Sequence, residues 1–196
     1  LKDIPSRLVY NFDECGFCPG QGKSRKVIGQ KGSQLAEASR GENITMIECI
    51  AADGWQMDPF LIFTSSGIFM ESWFYGSEDL PPNTTVAVSP TGWINDRLAL
   101  VWLDLFNKAT SGPDRLNSRE KRVLIFDGHG THLTLEFLQF CEEWDIIPFG
   151  FLPHTTHLCQ PLDGKPFLSF KQHFRLFNNE IAFWAGSQWE NPISFA

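Results

Sequence analysis

The apolar and polar positions divide the chain into short strands and amphipathic helices. Leu8 to Phe12 (L-V-Y-N-F) is an apolar run that stops at Asp13, and it predicts a strand ending in that acid. Residues Cys15 to Arg40 are rich in Gly, Ser, Lys and Gln and read as loop. Asn43 to Ala51 alternates β-branched residues and predicts a second strand. Asp53-Gly54 is a hairpin turn signal, and Pro59 to Thr64 predicts the returning strand. Val86 to Val88 predicts a further short strand within an irregular, proline-punctuated region.

Later the pattern alternates between strand and helix. Asn95-Asp96 predicts a helix start, followed by Arg97 to Ala109 with Leu98, Val101, Trp102, Leu105 and Phe106 on one face. Val123 to Phe126 (V-L-I-F) is a short apolar run of the kind found in buried strands, ending at Asp127. Thr134 predicts a cap for a helix over Leu135 to Trp144, with Leu135, Leu138 and Cys141 spaced for burial. Ile146 to Leu152 predicts a strand interrupted by Pro148, and Pro161 to Asn179 a helix whose start Pro166 delays. This order predicts an α/β domain with a mixed sheet, antiparallel strands first and strand–helix alternation later. Residues 1–185 read as one domain and residues 186–196 as a loosely held end.

Composition sharpens the class. With 196 residues, 42% of them hydrophobic, the chain can bury a substantial core. No apolar run reaches the roughly 18 residues of a membrane span, and no signal segment opens the chain. The first residue is Leu1 rather than Met, as in a fragment or processed piece. The five cysteines are odd in number and scattered, which favours a reducing compartment over a disulfide framework. The net charge of −7 argues against a broad nucleic-acid surface, since phosphate binding favours Lys and Arg. A DNA role would therefore need another source of grip, with part of the acidity belonging to a metal site.

Three acids suggest such a site. Asp13 and Asp127 follow predicted strands, and open α/β sheets place ligands beyond the carboxyl ends of strands. Asp163 lies in a Gln-Pro-Leu-Asp-Gly turn before a predicted helix. Alone, each could be a turn former or a helix cap. Together they could supply the carboxylate oxygens that hard divalent cations require. Two such ions about 3.5–4 Å apart can activate water and stabilise a leaving 3′ oxygen.

Two H-x-x-H pairs, His129/His132 and His154/His157, with Cys159 nearby, invite a zinc hydrolase reading. Neither has the helical H-E-x-x-H context, so hydrogen bonding to the loops that carry Asp127 and Asp163 is the better expectation for them. Cys15-Gly-Phe-Cys18 lacks the second cysteine pair of a zinc site. Gly16 to Ser24 has one residue too many between its glycines for a phosphate loop, so no nucleotide cofactor is expected. The same stretch supplies Lys23, Arg25 and Lys26, followed by Lys31, a short basic loop able to hold a DNA backbone.

These segments also resemble a known family. Y-N-F-D-E-C-G-F is similar to the Y-N-x-D-E-T-G-F segment of DDE superfamily transposases of the pogo/Tigger/jerky group. I-T-M-I-E-C-I-A-A-D-G-W-Q-M-D-P-F-L-I-F resembles their central hairpin. G-W-I-N-D-R-L-A-L-V-W-L, L-I-F-D-G-H-G-T-H-L-T and L-P-H-T-T-H-L-C-Q-P-L-D resemble their later blocks. The match runs in order from about Leu8 to Phe177. It implies a ribonuclease-H-like fold whose metal triad falls on Asp13, Asp127 and Asp163, with Glu14 and the four histidines in support.

The implied activity is cleavage and strand transfer of DNA phosphodiesters with two Mg²⁺ or Mn²⁺ ions. The implied partners are element ends and target DNA, with a homodimer possible and no membrane, in the nucleus. The alternative is a catalytically inactive, transposon-derived nuclear protein that binds DNA or other proteins. Departures are Cys15 where Thr is common, and Gly164-Lys165-Pro166 where apolar residues are more usual. No N-terminal helix-turn-helix DNA-binding region of the kind these transposases carry is read in the 196 residues.

Overall fold

A computed structural model describes residues 4–18, 43–69, 80–113, 115, 120–127, 134–151, 160–162, 164, 166–174 and 176. The strands are β1 (Val9–Phe17), β2 (Ile44–Ala51), β3 (Phe60–Thr64), β4 (Thr85–Ser89), β5 (Arg122–Phe126) and β6 (Ile146–Gly150). The helices are α1 (Asp96–Thr110) and α2 (Leu135–Glu143), and residues 166–174 form a further helical run.

The strands form one sheet in the order β4-β3-β2-β1-β5-β6. β2 pairs antiparallel with both β1 and β3, whereas β1–β5, β5–β6 and β3–β4 are parallel. Only β2 therefore runs against the rest, and the carboxyl ends of the other five strands share one edge. This is the mixed sheet expected from the sequence. The hairpin turn behaves as its Asp-Gly pair predicts. Gly54 takes φ 93°, and the Trp55 N–H donates to Asp53 Oδ1 at 3.0 Å.

Strand alternation sends side chains to two faces. One face carries Tyr10, Phe12, Ile47, Cys49, Phe60, Ile62, Leu124 and Phe126, buried against α1 and α2. Phe12 stacks on Trp102 of α1 with ring centroids 4.2 Å apart, and Phe126 meets Phe137 of α2 edge-on. The other face carries Cys15, Met46, Ile50 and Leu61, covered by Leu162, Phe167 and Phe170 from the turn and helix that follow. The result is a three-layer sandwich of helices, sheet and helix.

Several elements differ from their sequence pattern. β1 does not end at Asp13; it runs on to Phe17, because the ladder with β2 continues from Asp13↔Glu48 to Phe17↔Ile44. In α1 the buried stripe is Ala99, Trp102, Leu103 and Phe106, while Val101 is exposed. In α2 the sheet takes Phe137 and Cys141, leaving Leu135 and Leu138 exposed. β6 passes through Pro148 without a break. It is an edge strand, and there a missing N–H can face outward at no cost to the ladder. Both predicted caps are present: Asn95 accepts from the Leu98 N–H and Thr134 from the Phe137 N–H.

Candidate functional site

β1 and β5 are neighbours, and Asn11↔Ile125 is the last pair in their parallel ladder. Asp13 and Asp127 each stand two residues further along, so they share one level on strands spaced about 4.8 Å apart. Tyr10, Phe12, Leu124 and Phe126 face α1 and α2. Alternation therefore assigns Asn11, Asp13 and Ile125 to the opposite face, the one that the 166–174 helix covers, and Asp127 follows directly on the end of β5. Both acids are half-buried. Asp13 Oδ1 accepts the Glu14 backbone N–H at 2.8 Å. Glu14 alternates onto the other face, so β1 presents Asp13 and Glu14 to different layers.

Two features here were missed by the sequence reading. The first is Glu48, the cross-strand partner of Asp13 on β2. It is 8% exposed, and its Oε2 accepts from Gln56 Nε2 at 3.1 Å. Burial raises its pKa above the ordinary carboxylate range, partly offset by the Gln56 hydrogen bond. The available signal was an acid at an inward position of the alternating I-T-M-I-E-C-I-A run.

The second is a pair of buried amides. Gln160 Nε2 donates to the Phe12 carbonyl at 3.1 Å, and Gln160 Oε1 accepts from Asn11 Nδ2 at 3.2 Å. Asn11 Nδ2 also donates to the Ile125 carbonyl at 3.1 Å. No periodicity argument reveals such a contact across 149 residues of sequence.

Asp163, His129, His132, His154 and His157 lie outside the described residues, as do Lys23, Arg25, Lys26 and Lys31. Residues flanking Asp163 are placed, however. Leu162 is buried beside Cys15, Met46 and Phe167, and its carbonyl accepts the Phe167 N–H at 3.1 Å. Among the described residues, no three His, Cys, Asp or Glu side chains lie close enough to hold an ion. Cys15 and Cys18 do not act as a pair: Cys15 is buried in the second core, and Cys18 Sγ donates to Asn43 Oδ1 at 3.6 Å. An open cleft of about 600 Å³, lined by Trp55, Asp58, Asn83 and Lys108 among others, lies where β3 and β4 begin. That is the sheet edge opposite the carboxylates.

Residues 42–189 match the family model described as DDE superfamily endonuclease. The chain belongs to the DDE superfamily endonucleases. A curated relative, MFS-type transporter clz9 of Cochliobolus lunatus, is 35% identical over 177 residues, covering 88% of this chain. The chain spans only 18% of that relative's length. No helix among the described residues is long and apolar enough to cross a membrane.

Solved structures add the fold. A pre-cleavage Mos1 transpososome superposes with a TM-score of 0.54 at 13% identity, over 86% of this chain and 43% of that one. The Mos1 mariner paired-end complex with Mn gives 0.54 at 13%, over 88% and 44%. The Mos1 paired-end complex with the left transposon end gives 0.53 at 13%, over 86% and 42%. This DDE domain therefore has the ribonuclease-H-like architecture of a transposase core, as its sequence blocks implied.

Proposed function

We propose that this DDE domain is a divalent-metal-dependent DNA endonuclease of the transposase type, with Asp13, Asp127 and Asp163 as its metal-binding carboxylates. The observation that carries this reading is that Asp13 on β1 and Asp127 directly after β5 each stand two residues past the last pair of one parallel ladder. The turn that leads to Asp163 is tied to the same edge through Gln160. Oxygen-only donors are hard and suit Mg²⁺ or Mn²⁺. A pair of bound ions would supply the polarisation of the scissile phosphate and the activation of water. The chain's own part is geometric. β1 and β5 fix two carboxylates at one depth, and the buried aromatic layer beneath them resists displacement.

The substrates proposed are the ends of a DNA element and its target, handled by two copies of the chain in the nucleus. The family and the Mos1 transpososome and transposon-end complexes support the DNA part of this proposal. The basic loop Lys23, Arg25, Lys26 and Lys31 is proposed to hold DNA backbone, and His129, His132, His154 and His157 to support the carboxylate loops.

Calorimetric titration with Mg²⁺, Mn²⁺ and Zn²⁺ tests the metal centre. The expected result is Mn²⁺ binding weakened at least tenfold by Asp127→Asn, with no preference for zinc. Tight zinc binding lost in His129→Ala or His154→Ala, and kept in Asp127→Asn, would make the site a zinc hydrolase instead.

A further inference from the structure

The two buried amides occupy a place where packing alone would need no polar group. Asn11 and Gln160 are each 5% exposed, enclosed at the face where Asp13 and Asp127 emerge. Their orientations follow from their partners. The Ile125 and Phe12 carbonyls can only accept, so Asn11 and Gln160 must each turn an NH₂ group towards one of them. Gln160 Oε1 is then left to receive Asn11 Nδ2. Two side chains thereby join three segments by directional bonds: β1, β5 and the turn beginning at Gln160. The bonded residues are close to all three acids. Phe12 precedes Asp13, Ile125 stands two before Asp127, and Gln160 stands three before Asp163. On the far side of the turn, Leu162 is held by Phe167 in the second core.

We propose that Asn11 and Gln160 form a positioning latch that sets the spacing between the Asp163 turn and the β1–β5 edge, and so the geometry in which the carboxylates share divalent metal. The proposal rests on the carboxylate reading given above. Hydrophobic packing of Leu162 fixes the turn loosely, because apolar contact is not directional. Bonds near 3 Å to two different main chains fix it in distance and angle. Residues that orient metal ligands without touching metal commonly alter affinity by about 10–100-fold when removed.

The test uses the 196-residue chain and Mn²⁺ alone. Gln160→Met keeps length and volume but removes both hydrogen bonds, and Asn11→Leu does the same for its partner. Circular dichroism and thermal melts establish folding, and calorimetry measures Mn²⁺ affinity. Each variant is expected to bind Mn²⁺ at least tenfold more weakly, and the double variant no worse than the weaker single one, because the two amides act as one unit. Arg115→Ala, at the other end of β1 where Arg115 bonds Asp53 and the Arg7 carbonyl, serves as the control: it should lower the melting temperature and leave Mn²⁺ affinity unchanged.

If Gln160→Met does not fold, Gln160→Glu carries the same test, since it keeps the acceptor for Asn11 and loses the donor to Phe12. Folded variants with wild-type Mn²⁺ affinity would overturn the latch. Failure of the carboxylate reading looks different: wild type and Asp127→Asn would then bind Mn²⁺ alike.

Discussion

At the scale of single residues, the site's surroundings are set by which polar groups are buried and what they meet. Arg115 shows this away from the carboxylates. Its guanidinium donates to the Tyr10 hydroxyl, the Arg7 carbonyl and both Asp53 oxygens, and it lies 4.5 Å from the Trp55 ring centroid. Arg115→Ala should therefore destabilise the fold by about 1–3 kcal/mol in urea titrations, through lost hydrogen bonds and ring contact together. Asp53 has its pKa lowered, first by the Trp55 backbone N–H and then by Arg115. A lowered carboxyl stabilises the fold above its unfolded value of roughly 3.9, and that contribution is lost as pH falls through the lower folded value. The stability gap between wild type and Asp53→Asn should accordingly shrink in melts carried from pH 7 to below pH 3; a constant gap would contradict the assignment.

Two thiols make a second prediction at this scale. Burial pushes Cys49 far above the usual thiol range and Cys141 up to about 12. Thiolate is the reactive form, so neither should take up iodoacetamide at pH 8 until the protein is unfolded, as peptide mapping would show.

At the scale of elements, the sequence made strand and helix identities legible, because burial repeats at two in strands and near 3.6 in helices. The Asp53-Gly54 turn and the Asn95 and Thr134 caps were legible for the same local reason. What stayed hidden depends on distant partners. β1 continues past Asp13 only because β2 is long enough to pair with it. The faces of α1 and α2 turn from Val101 and Leu135 towards Leu103 and Phe137 because the sheet offers its deepest contacts there. The strand context of Asp13 and Asp127 was legible, whereas the buried positions of Glu48, Asn11 and Gln160 were not, since those depend on neighbours across the sheet.

Two element-scale outcomes follow from packing. Trp102→Ala, which removes the ring stacked on Phe12 and Phe106, should cost about 3–5 kcal/mol in denaturant titrations. Gly92→Ala should also destabilise, because Gly92 has φ 71° and a Cβ there would fall 2.3 Å from the Asn43 carbonyl oxygen.

At the scale of the whole molecule, a sheet with one reversed strand gathers five carboxyl ends on one edge, and a helix from the end of the domain folds back over the face beside it. This topology brings acids from distant parts of the sequence to one level. The chain carries a net charge of −7 and belongs to the DDE superfamily endonucleases; affinity for DNA comes largely from cationic contacts to phosphate, which an acidic chain supplies sparingly. With few such contacts, the isolated chain should cleave weakly and without sequence preference. The most direct test is nicking of supercoiled plasmid in Mn²⁺ by wild type and by Asp127→Asn, with folding of both checked by circular dichroism. Slow, chelator-sensitive nicking by wild type and at least a hundredfold loss in Asp127→Asn are expected; equal nicking by the two folded proteins would contradict the proposed carboxylate site.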